Sequence, residues 1–138
     1  MSEPAPHKPL PQPDALSGPY WEAAAEGRLL IQRCPACTRH QWYPRPLCLA
    51  CGAREPDWVE ASGRGTVHTF SVVRRTPNRE FADELPYVFA IVELEEGVRM
   101  ATRLVGTPPE RVRCGMPVRV TFPPAGEDGR VLPAFEEG

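Results

Sequence analysis

Residues 34 to 52 read CPACTRHQWYPRPLCLACG, two CxxC pairs separated by ten residues in a chain whose one further cysteine is Cys114. No other stretch limits the fold so tightly. Each CxxC turn places two sulfurs on one side, with backbone amides directed at them. Two such turns bring four thiolates into a tetrahedron that zinc accepts without geometric strain. Cys34, Cys37, Cys48 and Cys51 are therefore read as metal ligands, with Zn2+ the expected ion and iron the alternative occupant of a four-sulfur site. Gly52, directly after the second pair, allows the positive φ that such turns favour. Four cysteines close the coordination sphere, whereas a catalytic zinc keeps one position open. His40 lies close in sequence but is expected to point away, and a redox role for one pair would leave the other unexplained. The metal is read as structural, a staple for a module too small to fold on its own core.

Paired CxxC motifs carry this meaning best in a reducing compartment, where disulfides do not persist. The N-terminus, MSEPAPHKPLPQPD, has no apolar segment of the signal-peptide kind, and no apolar run in the sequence approaches the ~18 residues that span a membrane. A cytoplasmic location is the expectation. The net charge of −2 leaves no basic excess to attract nucleic acid or anionic lipid.

Three segments follow from the pattern along the chain. Residues 1–14 hold five prolines and few large apolar side chains, so they are read as a disordered arm. Residues 15–62 hold a short helix and the cysteine module. In SGPYWEAAAEG, Ser17 or Gly18 can cap the helix, Pro19 suits its first turn and Gly27 its αL stop. RLLIQRC reads as a strand into the first CxxC, HQWYP as its return, and 58–61 as the exit from the module. Residues 63–138 read as five strands, at 65–75, 86–96, 98–106, 117–122 and 130–136, with a hairpin at EEG and a helical turn in TPPERVRCG. The eighteen prolines and eleven glycines of the chain fit this mainly β pattern. Five short strands with a long first loop point to a five-stranded OB-fold barrel. Both faces of YVFAIVEL are apolar, which predicts a strand between a barrel core and a covering element.

Nothing assembles an active site. Cys114 reads as a buried or half-exposed turn cysteine and His68 as a satisfied barrel histidine. Glu93, Glu95 and Glu96 read as a solvated hairpin edge. There is no nucleophile elbow, phosphate-binding glycine loop or HExxH. The loop RRTPNREFADELP (74–86) stands where OB folds often bind ligands. Its Arg74, Arg75 and Arg79 are candidates for a phosphate-bearing ligand, since the guanidinium fork matches phosphate. Trp21, Trp42, Tyr43 and Phe81 are candidate partner-interface anchors. Core packing is the competing reading for these aromatics, and an exposed charged loop for the arginines.

PYWEAAAEGRLLIQRCPAC, PRPLCLACG, WVEASGRGTVHTFSVV, PYVFAIVELEEGVRMATRLVG and CGMPVRVTF occur in this order. The ordered set, over residues 19 to 135, resembles the small zinc-ribbon/OB-fold proteins long grouped as a domain of unknown function and associated with acyl-CoA. The resemblance implies an N-terminal helix, a rubredoxin-like zinc ribbon and a C-terminal OB fold, with Cys34, Cys37, Cys48 and Cys51 as zinc ligands. It also implies a non-catalytic scaffold beside a thiolase-superfamily enzyme: a thiolase, an acyltransferase, or a lipid-transfer-protein-like aldolase of sterol side-chain breakdown. In this role the chain would help assemble or shelter an acyl-CoA site. The alternative is a single-stranded nucleic-acid-binding protein, against which residues 65–138 set nine arginines beside eleven acidic residues. An independent enzyme or a rubredoxin-like electron carrier ranks last.

Overall fold

A computed structural model describes residues 12, 14–77, 85–124 and 131–138. Apart from Gln12 and Asp14, the proline-rich arm lies outside these residues. One short helix and eight strands follow: α1 (Gly18–Ala25), β1 (Leu30–Arg33), β2 (His40–Gln41), β3 (Asp57–Glu60), β4 (Arg64–Val73), β5 (Tyr87–Leu94), β6 (Arg99–Leu104), β7 (Pro117–Thr121) and β8 (Ala134–Glu137). The chain is mainly β, as its composition predicts.

Pro19 sits in the first turn of α1, and the chain leaves the helix through Gly27 at φ 78°. The Ser17 side chain does not cap the helix. It pairs backwards with Asp14 instead: the Ser17 N–H donates to Asp14 Oδ1 at 2.7 Å and the Asp14 N–H to Ser17 Oγ at 3.2 Å. Tyr20, Ala23 and Ala24 form the buried face of the helix.

The cysteine module is a three-stranded antiparallel sheet, β2–β1–β3. Residues 58–61, expected to lead out of it, are instead paired within it: Ile31 lies opposite Val59 and Gln32 opposite Trp58. The next five strands close a barrel in the order β4–β5–β6–β8–β7. The helical turn expected in TPPERVRCG is a single 3₁₀ turn, Pro109–Arg111. β8 begins at Ala134, four residues later than the sequence pattern placed it.

Alternation sorts β5 cleanly, since one face of a barrel strand is core. Val88, Ala90, Val92 and Leu94 are buried, and Tyr87, Phe89 and Ile91 face outward. The covering element expected over this outward face is not found among the described residues: Phe89 is 45% exposed. His68 departs from the expected barrel interior. The β4–β5 register shifts between Val67 and Thr69, and this bulge leaves His68 exposed.

One apolar cluster joins the parts, running from Tyr20, Leu29, Ile31 and Ala61 to Val67, Met100, Met116 and Phe135. The junction is Ala61-Ser62-Gly63. The Ser62 N–H donates to Glu96 Oε2 at 2.7 Å, so Glu96, expected to be solvated, ties the β5–β6 hairpin to the junction. Gly63 has φ 79°, and a Cβ there would lie 2.6 Å from Val120 Cγ1. A side chain at this position is therefore both strained and crowded.

Candidate metal centre and aromatic groove

The two CxxC turns are near copies of one another. In the first, the Cys34 N–H donates to Arg39 O at 2.9 Å and the Thr38 N–H to Cys34 O at 2.8 Å. In the second, the Cys48 N–H donates to Ala53 O at 2.8 Å and the Gly52 N–H to Cys48 O at 2.9 Å. The residue after each pair is left-handed, Thr38 at φ 66° and Gly52 at φ 79°. Only the second turn has a glycine there, so the first holds a conformation that non-glycine residues seldom adopt.

Their four sulfurs converge within 4.8 Å of one another. Cys34 Sγ and Cys51 Sγ lie 3.6 Å apart, as do Cys37 Sγ and Cys48 Sγ. A tetrahedral zinc with bonds of ~2.3 Å separates its sulfurs by about 3.8 Å, so these residues fit the ion. Amide donors support the sulfur charge: the Cys37 N–H lies 3.4 Å from Cys34 Sγ and the Ala50 N–H 3.3 Å from Cys48 Sγ. An amide hydrogen bond from Cys51 is the main cause that lowers the Cys48 thiol to about 6. Cys34 is lowered chiefly by the amide of Cys37. At Cys51 the Ala53 amide also lowers the thiol, but the neighbouring sulfurs, Cys34 foremost, and burial outweigh it and raise it to about 11. Cys51 by itself thus resists ionisation beside the other sulfurs, and a bound cation would supply the charge compensation it lacks.

Two glutamines brace this centre, a feature the sequence analysis missed. Gln32 is 2% exposed on the central strand, yet both ends of its amide are hydrogen-bonded. Its Nε2 donates to Arg45 O at 3.0 Å, while its Oε1 accepts from Gln41 Nε2 at 2.7 Å and from the Arg45 N–H at 2.9 Å. Gln41 in turn donates to Leu47 O at 3.2 Å and accepts from the Leu49 N–H at 3.1 Å. Together they fasten segment 45–49, which carries Cys48, to the sheet. The available signal was a lone amide in the apolar run LLIQRC, paired with a second amide on the returning strand.

Three of the four candidate anchors meet. Trp21, Trp42 and Tyr43 line one groove with Tyr20, between α1 and the ribbon. Tyr43 is 59% exposed, and the Arg45 guanidinium stacks over its ring at 4.6 Å. The fourth anchor, Phe81, lies outside the described residues, as does Arg79. Arg74 and Arg75 are exposed just beyond β4, and nothing described gathers them around a common point. Cys114 is exposed in a turn, more open than expected.

The fold and this site define a zinc-ribbon/OB-fold protein. Residues 21–57 match the family described as "ChsH2, rubredoxin-like zinc ribbon domain", and residues 58–123 match "ChsH2, C-terminal OB-fold domain". A DUF35 domain-containing scaffold protein of Methanocaldococcus jannaschii is 39% identical over 111 residues, covering 79% of this chain and 78% of that protein. A chain of the solved structure titled "Ltp2-ChsH2(DUF35) aldolase" superimposes with a TM-score of 0.82 at 40% identity, covering 93% of this chain and 98% of that one. The 3-oxo-4,17-pregnadiene-20-carboxyl-CoA hydratase alpha subunit of Mycobacterium tuberculosis is 39% identical over 121 residues, covering 80% of this chain. The chain spans only 37–39% of the length of hydratase alpha subunits of this kind. It belongs to the DUF35 family, with a ChsH2-type zinc ribbon and OB-fold domain. No described helix is long and apolar enough to cross a membrane.

Proposed function

We propose that this chain is a non-catalytic subunit that binds a thiolase-superfamily enzyme and helps assemble or shelter its acyl-CoA site. The observation that carries this reading is the match, over nearly the full length of both chains, to the DUF35 chain of an aldolase structure. The likeness to a steroid acyl-CoA hydratase subunit supports a sterol side-chain thioester as the substrate of the complex. The site agrees with a supporting role. Cys34, Cys37, Cys48 and Cys51 would hold Zn2+ with all four positions taken, and the ion would fix the ribbon without touching a substrate. On this reading the chain works in the cytoplasm and has no nucleic-acid ligand.

Co-expression tests it. The partner enzyme produced alone should be poorly soluble or weakly active on its acyl-CoA, and the purified chain should restore it at near-equimolar ratio. The chain alone should turn over no acyl-CoA. A partner fully soluble and active by itself, unchanged by the chain, would contradict the proposal.

A further inference from the structure

The groove between α1 and the ribbon has the chemistry of a polyproline site. Its free volume is about 390 Å³. Its walls are aromatic rings held edge to face: Tyr20 against Trp21 at 4.8 Å and 88°, and Trp42 against Tyr43 at 6.1 Å and 87°. Pro44 completes the ribbon side. Polar atoms are few but well chosen. Trp42 Nε1–H points at Tyr20 Oη from 3.5 Å, the long limit of a hydrogen bond, and the Tyr20 hydroxyl retains its own proton to donate.

A polyproline II strand offers what such a groove takes. It has flat ring surfaces, outward carbonyl acceptors and no internal hydrogen bonds, and its prolines bring no N–H that would need a partner. Aromatic-lined grooves bind it for these reasons, with little ordering entropy lost. A regular β-strand would leave its N–H donors unmet against the rings.

The chain's own N-terminal segment has the composition of such a strand, and the described residues that follow it stand at the groove. Gln12 and Asp14 already stand on its rim. The reciprocal Asp14–Ser17 pair fixes the turn by which the chain enters α1, and the Asp14 carbonyl accepts the Gly18 N–H at 2.8 Å. Directly upstream the sequence is PAPHKPLPQP, with Pro4, Pro6, Pro9, Pro11 and Pro13. A polyproline II segment rises ~3.1 Å per residue, so the three residues from Gln12 back to Pro9 would span about 9 Å.

We propose that the Tyr20–Trp21–Trp42–Tyr43 groove is a polyproline-binding site whose occupant is this chain's own segment around Pro9 and Pro11. Tethering favours this occupant over any free peptide, because a short linker supplies an effective concentration of about millimolar. The arm then covers Trp21, Trp42 and Tyr43 in the isolated chain, and a protein partner that uses these rings has to displace it. The proposal rests on the groove and the arm, independently of the partner's identity.

The test uses the full-length chain and its P9A/P11A/P13A variant, whose substitutions lie outside every described element. Tryptophan emission and acrylamide quenching report on Trp21 and Trp42, with Trp58 as a constant background. The variant should show red-shifted emission and steeper quenching, and a synthetic peptide of residues 1–13 should reverse both. In the native chain the signal should not depend on protein concentration. Adding Tyr43→Ala to the variant should abolish the reversal by peptide. Identical emission and quenching in native chain and variant would overturn the proposal, as would a peptide without effect. Concentration-dependent quenching in the native chain would also overturn it, by assigning the groove to the arm of a second copy.

Discussion

The ribbon buries Leu29 and Ile31 and little else that is large and apolar, whereas the barrel encloses Val67, Val88, Val92, Met100, Met116 and Phe135. Both are small antiparallel structures, and they are held by different physics. Apolar area removed from water sustains the barrel. In the ribbon, two of the best-buried residues are cysteines and a third is Gln32. Its shape therefore depends on directional bonds: amide to sulfur, amide to amide and, with an ion bound, sulfur to metal. A module built this way keeps its surface rings, Tyr43 among them, available for contact. The barrel places most of its large apolar residues inside, with Phe89 the exposed exception among the described residues.

Metal removal should separate the two most sharply. Chelation, or Cys34→Ser, should collapse the dispersion of amide resonances from about 30 to 60, while those of β4 to β8 persist; loss of both together would erase the distinction. Phe135→Ala should do the reverse. Phe135 is 0% exposed, and its truncation should cost about 3–5 kcal/mol in denaturant unfolding of the barrel while leaving one bound metal per chain. Gly63→Ala tests the seam. Strain at positive φ and the approach to Val120 should cost about 1–3 kcal/mol, read as a lower thermal midpoint. Gln32→Ala leaves the Arg45 amide and carbonyl without partners and should cost about 1–3 kcal/mol, seen as faster amide exchange over 45–49 and faster metal loss to a chelator.

The smallest effect is at the helix start. Hydrogen bonds from Ser17, the backbone one first, hold the Asp14 carboxyl below its ordinary 3.8. A depressed carboxyl contributes its support in full above the unfolded value, and that support is lost as pH falls through the folded one. Fraying of residues 14 to 18 should therefore begin only below the ordinary aspartate range, and Asp14→Ala should show the same fraying at neutral pH. Exchange of the Ser17 and Gly18 amides followed against pH checks both.

The metal cluster and the barrel strands were legible because each leaves a local signature, spacing for one and alternation for the other. What escaped reading depends on contacts between segments distant in sequence. The strand at Asp57–Glu60 looked like an exit because only its pairing with Leu30–Arg33 makes it part of the sheet. His68 was placed inside because a bulge reverses the alternation without any mark in TVHTF. Glu96 looked solvated because its partner, the Ser62 amide, lies 34 residues away. The meeting of Trp21 with Trp42 was equally hidden, since it requires α1 to fold back on the ribbon.

Gentle affinity purification of the chain from its source organism, with co-eluting proteins identified by mass spectrometry, tests the scaffold reading most directly. The account predicts one thiolase-superfamily enzyme at near-stoichiometric yield. Recovery of the chain alone, or with nucleic acid in place of an enzyme, would contradict it.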